Sequence, residues 1–159
     1  MSRRFFLGLG LFLCACSQVI AQGPKDAEFR LCDESKLYRV DDPMLAAKGL
    51  DSLPIAAVAP KPRGTADDLQ RFFDEKVTLG PEAADLFVRV HIGFVVNCHG
   101  RLGEVRVLSP AAPEIGAAIA GVVEKLPEWE PGTAAGTPVD TLTKLSFTVS
   151  QGRAKVSLK

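Results

Sequence analysis

The residues and motifs that catalysis requires are scarce or missing in this sequence. Only two of its 159 residues are histidines, His91 and His99, and their places on a strand and its turn predict that they lie apart. No glycine-rich phosphate loop follows a predicted strand, and the nucleophile motif G-x-S-x-G is missing. A metal site built from His91, Cys98 and His99 would have poor geometry. The sequence therefore predicts a protein that is not an enzyme and has no cofactor or metal.

The chain also carries no excess of charge. Its 19 basic and 19 acidic residues balance, and no long run of one sign occurs. A nucleic-acid-binding domain would show a clustered basic face, and a lipid-binding segment would be polybasic. Both classes are therefore disfavoured, and membrane contact is expected only through an anchor. With 47% hydrophobic residues, the chain can form one buried core.

The amino terminus has the pattern of an export signal. Arg3 and Arg4 give it a positive start, residues 5–13 form an apolar run, and small residues at 19–21 offer a cleavage site. The apolar run is shorter than the roughly 20 residues that span a bilayer. We therefore expect residues 1–21 to be a signal peptide.

Two other fates of this segment stay open. A longer apolar stretch, residues 5–21, is compatible with an uncleaved anchor. The letters LCAC at residues 13–16 resemble a bacterial lipobox, in which Cys16 would be acylated and would become the mature amino terminus. Each of these fates places the rest of the chain beyond the inner membrane.

Export decides the expected state of the remaining cysteines. After cleavage, Cys32 and Cys98 are the only unmodified thiols. Disulfides persist in the oxidising compartment beyond the inner membrane. A bond between them would close a long loop and stabilise the domain by about 4 kcal/mol on the chain-entropy treatment. The alternative is two independent thiols.

Two helices are predicted after an irregular stretch at residues 22–63, in which prolines break any long helix. Within this stretch, residues 29–40 allow a short strand, and residues 53–62 are interpreted as a linker or an extended surface segment. The first helix begins after Thr65 with a capping-box pattern and ends before Pro81. The second begins at Pro113 and stops before Pro127. Each helix carries an apolar stripe at helical spacing. The stripes are Leu69, Phe72, Phe73 and Val77 in the first helix, and Ile115, Ile119, Val122 and Leu126 in the second.

The predicted strands lie at residues 87–97, 103–108, 139–149 and 154–158. Apolar side chains alternate along the first of them, as is typical of a strand with one buried face. Residues 64–159 are therefore expected to form an α+β domain. The expected architecture is a two-layer sandwich, in which an antiparallel sheet of three to four strands carries both helices on one face.

Three landmarks of residues 64–159 are similar to the TonB C-terminal domain family. The first is the strand and turn VHIGFVVNCHG, residues 90–100. The second is LPEWEPG, residues 126–132, which resembles the family's P-x-W-x-P-G segment, and the third is GTPV, residues 136–139. The family-motif positions, expected to be structural, are Gly100, Pro127, Trp129, Pro131 and Gly132. The form VVNCHG at residues 95–100, with the late strand GRAKV at residues 152–156, looks closest to stand-alone exported members. Residues 22–63 are too short and too poor in proline to cross the periplasm as the arm of energy transducers does.

The resemblance implies a protein-binding module in the periplasm or at the outer membrane of a Gram-negative cell. Domains of this family bind partners by strand pairing at an exposed sheet edge. The implied partner is an outer-membrane receptor, and the implied process is transport across the outer membrane. The candidate edge is the strand at residues 139–149, or else the last strand at residues 154–158. The residues expected to line the pairing region are Thr141, Thr143, Ser146 and Thr148.

A second hypothesis is a structural envelope protein without a role in energy transduction. A lipid on Cys16 would anchor it to the membrane. Its sheet would then contact other envelope proteins or a second copy of the chain in a homodimer. The sequence leaves both hypotheses open.

Overall fold

The computed structural model of this protein describes residues 28–109 and 111–158. The expected signal peptide, residues 1–21, and the lipidation candidate Cys16 lie outside the described residues. Within the described residues, no helix combines the length and the apolar character needed to cross a membrane.

Helices and strands are interspersed along the described chain. The helices are α1 (Pro43–Leu45), α2 (Ala66–Lys76) and α3 (Pro113–Val123). A wider turn at Ala46–Leu50 extends α1, and a 3-10 turn lies at Pro81–Ala83. The strands are β1 (Tyr38–Arg39), β2 (Lys61–Pro62), β3 (Phe87–Val96), β4 (Leu102–Val107), β5 (Trp129–Glu130), β6 (Gly132–Ala134), β7 (Thr137–Val139), β8 (Thr141–Ser150) and β9 (Arg153–Ser157).

The helix starts follow from local chemistry. At the start of α2, the Thr65 hydroxyl accepts a hydrogen bond from the Asp68 N–H at 3.1 Å, and the Asp68 carboxylate accepts one from the Thr65 N–H at 3.0 Å. This is a capping box, with aspartate in place of glutamate or glutamine. Helix α3 begins with Pro113, whose missing N–H costs nothing in the first turn. Helix α2 ends at Lys76, earlier than expected, because Val77 is already extended.

The main sheet has five strands in the order β1-β8-β3-β4, with β9 also paired to β8. Strands β3 and β8 pair antiparallel over their full length, and β4 and β9 flank them antiparallel. Strand β1 pairs in parallel with Thr141 and Leu142. The expectation of an α+β fold is confirmed, but the expected three to four antiparallel strands become five, one of them parallel. Strand β1 lies within residues 29–40, where the sequence allowed a short strand, but two residues have no periodicity that would predict the parallel pairing.

One apolar core lies between the helices and one face of the main sheet. Phe73 of α2 meets Phe147 of β8 edge to face, with 4.8 Å between ring centroids. Ile119 of α3 is 0% exposed and belongs to the same cluster, so both helices cover the same face. The sheet contributes alternate residues of β3 and β8 to this core: Val90, Ile92, Phe94, Val96, Leu145, Phe147 and Val149.

The back face of the sheet, opposite α2 and α3, is partly covered by residues 28–45. The ring of Phe29 lies directly over Gly103 of β4. Asp42 forms an ion pair with Lys144 of β8 at 3.1 Å. Residues 53–62 instead run along the segment after α3, where Val58 bridges Thr133 and β2 pairs antiparallel with β5. We call residues 28–45 the N-terminal cover.

Candidate functional site

Strand β8 is not an edge of the sheet, which contradicts the expected binding site. It pairs with β3 along one side and with β1 and β9 along the other. Thr141 and Thr143 are 0% and 7% exposed. Ser146 and Thr148 lie between β3 and β9. The prediction was wrong because period-2 alternation shows which side chains are buried but not which strand lies alongside.

Strand β9 lies at the margin of the sheet, but a side chain occupies its outer backbone groups. Gln70 of α2 donates from Nε2 to the Ala154 carbonyl at 3.1 Å and accepts from the Val156 N–H at 2.8 Å. The amide of Gln70 thus takes the place of a neighbouring strand. An incoming strand would have to displace it, so the alternative edge at residues 154–158 is occupied by the chain itself.

Strand β4 forms the margin on the other side, and a bulge interrupts it. Among the described residues, β4 pairs only with β3. The register changes between Gly93 and Val95, so Glu104 and Val105 both lie opposite Phe94. Glu104 has a left-handed φ of 53°. A bulge bends an edge strand, and charges on it oppose strand addition. The described sheet therefore offers no long regular edge to an added strand.

The part of the back face beyond the N-terminal cover is open and positively charged. Two rows of side chains cross β3, β8 and β9 in register there. The three basic residues of these rows are exposed and form no ion pair with another described residue. Phe87 is 77% exposed, more than any other large hydrophobic residue of the described chain. We call these rows the cationic face: Phe87, Arg89, Thr148, Ser150, Arg153 and Lys155.

A polar cluster lies where the cationic face meets the N-terminal cover, and it includes Asp42 of the cover. The Lys144 ammonium pairs with Asp42 at 3.1 Å and donates to the Ser146 hydroxyl at 3.2 Å. The Ser146 hydroxyl also contacts Nδ1 of His91 at 2.9 Å. Burial by itself raises the pKa of Asp42, but hydrogen bonds from Lys144 and the Met44 N–H outweigh it and leave the pKa below its ordinary value. The cluster fastens the cover to the sheet.

The turn between β3 and β4, residues 97–101, is the hairpin tip, and a disulfide joins it to the N-terminal cover. The predicted Cys32–Cys98 bond is confirmed, with 6.1 Å between the Cα atoms. The buried Asp140 carboxylate accepts hydrogen bonds from the N–H groups of Cys32 at 2.7 Å, Asp33 at 2.9 Å and Cys98 at 3.0 Å. Sequence analysis missed Asp140, because one aspartate before a strand gives no pattern.

His99 lies beside this disulfide and lines a cleft. Its backbone N–H donates to Oδ1 of Asn97 at 3.0 Å, and Asn97 is 2% exposed. The nearest imidazole nitrogen lies within 4.8 Å of both sulfur atoms. The adjoining cleft has a volume of about 390 Å³ and is lined by both charged and neutral groups. His91 lies elsewhere, on the back face, as its position on the strand predicted.

The family-motif residues join the hairpin tip to the segment after α3. Trp129 is 2% exposed and meets Phe94 edge to face at 5.2 Å. The backbone N–H of Trp129 donates to the Gly100 carbonyl at 2.7 Å. Gly100 has a φ of +85°, and a side chain there would collide with the Trp129 carbonyl oxygen. Gly132 leaves no room for a side chain beside Thr141. These glycines allow close backbone packing.

The chain was compared with protein-family models, with curated proteins and with solved structures. None of them matches it.

Proposed function

We propose that this chain is an exported protein-binding module of the Gram-negative cell envelope, similar to TonB C-terminal domains and without catalytic activity. The signal pattern of residues 1–21 and the motif around Trp129 support this proposal. The Cys32–Cys98 disulfide is consistent with an oxidising compartment. An outer-membrane receptor is the partner that the resemblance implies.

The cationic face is the observation that carries this proposal. Its basic residues have no ion-pair partner among the described residues, and exposed Phe87 lies beside them. Arg153 and Lys155 are two residues apart on β9, which separates their side chains by roughly 6–7 Å along the strand. An extended peptide with carboxylates at alternate positions has the same spacing. The expected partner segment is therefore acidic, with an apolar side chain that packs on Phe87.

Surface docking on this face replaces strand pairing as the proposed binding mode. Strand β8 is internal, Gln70 occupies the outer groups of β9, and β4 carries the bulge at Glu104. Strand addition would require one of these to rearrange, which costs hydrogen bonds already formed. Docking on the cationic face needs no rearrangement of the described backbone.

Binding of a labelled acidic peptide tests the proposal. The probe carries glutamates at alternate positions around a leucine, and its control carries glutamines instead. We expect purified mature protein to prefer the glutamate peptide, with an affinity that falls as salt is added. The double substitution Arg89→Glu and Lys155→Glu should weaken binding by roughly tenfold or more, measured by fluorescence anisotropy.

The matched control is Lys125→Glu, which reverses an exposed charge just after α3 and should leave affinity unchanged. Equal binding by the double variant and the wild type would contradict the proposal. Tighter binding to anionic phosphatidylglycerol vesicles than to the peptide would identify a lipid-binding surface instead. Self-association without peptide binding would favour the structural envelope protein.

A further inference from the structure

Three groups that bind metals converge at the hairpin tip. The sulfur atoms of Cys32 and Cys98 and an imidazole nitrogen of His99 lie within 4.8 Å of one another. Cysteine thiolate and histidine are the ligands that zinc and other thiophilic ions prefer. We propose that the reduced Cys32–Cys98 pair binds a zinc-class ion together with His99. Metal and disulfide are then alternative uses of the same sulfur atoms, independent of any partner on the cationic face.

Buried side chains form hydrogen bonds with the backbone N–H groups of all three ligand residues. The Asp140 carboxylate accepts hydrogen bonds from the N–H groups of Cys32 and Cys98, and Oδ1 of Asn97 accepts one from the N–H of His99. Asp140 and Asn97 are each 2% exposed. Because these bonds involve main-chain N–H groups and not sulfur, reduction leaves them in place. The reduced site is therefore preorganised, which lowers the entropy cost of ligation.

The site is also accessible and close to electrically neutral. Cys32 and His99 are exposed, and both line the cleft of about 390 Å³. The charged side chains of this cleft are paired, Arg30 with Glu28 at 3.1 Å and Arg101 with Glu128 at 3.8 Å. No uncompensated positive charge among the described lining residues opposes a cation. Three protein ligands leave one coordination position for water, as in open zinc sites.

The switch between the two forms balances chemically. A dithiol reductant opens the Cys32–Cys98 bond in two exchange steps and becomes a disulfide itself, and each cysteine gains one hydrogen. The ion then takes two thiolates and the neutral imidazole of His99. Two protons pass to solvent, so binding should weaken as the pH falls.

Cobalt binding tests this site. The mature protein is reduced with a phosphine, desalted without oxygen and titrated with Co²⁺, whose bonds to thiolate give a near-ultraviolet charge-transfer band. We expect one ion per chain for the reduced protein, displacement by Zn²⁺, and no band for the oxidised protein. His99→Ala should weaken binding by at least roughly 10- to 100-fold, the loss that even a supporting group causes.

His91→Ala is the matched control and should bind Co²⁺ as the wild type does, because His91 lies on the back face. Equal binding by His99→Ala and the wild type would overturn the proposal, and so would equal binding by the oxidised protein. Far-ultraviolet circular dichroism checks that each reduced chain is folded. If the reduced wild type unfolds and Zn²⁺ does not restore it, the proposal fails as well. Zn²⁺ should also slow thiol alkylation more in the wild type than in His99→Ala.

Discussion

Asp140 and Asn97 are each 2% exposed, yet both are polar, and their hydrogen bonds explain why. The Asp140 carboxylate accepts hydrogen bonds from the backbone N–H groups of Cys32, Asp33 and Cys98. The side-chain oxygen of Asn97 accepts those of His99 and Arg101. A buried polar group without partners would cost about 1–3 kcal/mol, whereas Asp140 satisfies donors from distant segments and Asn97 satisfies those of its own turn and donates to the Arg30 carbonyl at 2.9 Å. The hairpin tip is therefore fixed by polar contacts as much as by apolar burial.

Gly100 gives a test at the scale of one residue. Gly100→Ala should lower the free energy of unfolding by about 3 kcal/mol, because it adds a left-handed φ penalty and a collision with the Trp129 carbonyl. Gly136→Ala is the control: its φ is +79°, but a side chain there meets nothing within 4 Å. That variant should lose only about 1 kcal/mol. Urea unfolding measures the free energy of unfolding of both variants. Equal losses would show that the collision with the Trp129 carbonyl does not affect stability.

At the scale of elements, helix α2 does more than bury its apolar stripe. Phe73 reaches the core, while Gln70 turns toward the margin of the sheet and bonds β9. A side chain of the helix thus bonds the outward-facing backbone groups of β9, which no neighbouring strand of the described sheet pairs with. Covering an edge in this way is one means by which proteins prevent aggregation. Gln70 therefore caps the outer side of β9, where no other described strand pairs.

Gln70→Ala should expose the margin of β9. We expect the Val156 amide to exchange hydrogen roughly tenfold faster and the protein to lose about 1 kcal/mol of stability, because one acceptor and one donor lose their partner. Glu75→Ala, at an exposed position on the same helix, should change neither quantity. Hydrogen exchange read by NMR or mass spectrometry gives the answer. Unchanged protection at Val156 would mean that Gln70 does not cap the edge.

The elements differ in how far the sequence could predict them. The capping box at Thr65 and the alternation along β3 are local patterns, and both helices and the long strands followed from them. The disulfide followed from the cysteine count and the expected compartment. Gln70 forms a hydrogen bond with a residue more than 80 positions away, and Asp140 with one more than 100 positions away. No local pattern could therefore reveal the roles of these two residues. The cationic face was also hidden, because a neutral total charge says nothing about its distribution across strands.

At the scale of the whole molecule, several attachments hold the N-terminal cover on the sheet, and three of them differ in kind. They are the Cys32–Cys98 bond, the parallel pairing of β1 with β8, and the ion pair between Asp42 and Lys144. The side chains of that ion pair are only 16% and 9% exposed, so solvent screens it little. Loss of one partner would leave the other charge poorly compensated, which is a strongly destabilising change.

Asp42→Asn tests this attachment, because asparagine still caps α1 but carries no charge. We expect a loss of roughly 2 kcal/mol near neutral pH. The folded-state pKa of Asp42 lies below its ordinary value of 3.8, so its contribution is present above that value and is lost as the pH falls through the lower folded pKa. The wild type should therefore approach the variant in stability in strong acid. Asp85→Asn, an exposed control, should follow the wild type in thermal unfolding across this range.

The bond between Cys32 and Cys98 also closes the polypeptide into a ring that contains α1, α2 and β3. A protease that nicks the ring, for example near the exposed Ile55 and Val58, produces two fragments that remain covalently joined. Such a nicked molecule keeps its mass apart from one added water, and its two pieces separate on a gel only after a thiol reagent is added. Loss of an intact backbone in this protein therefore need not mean loss of the folded body.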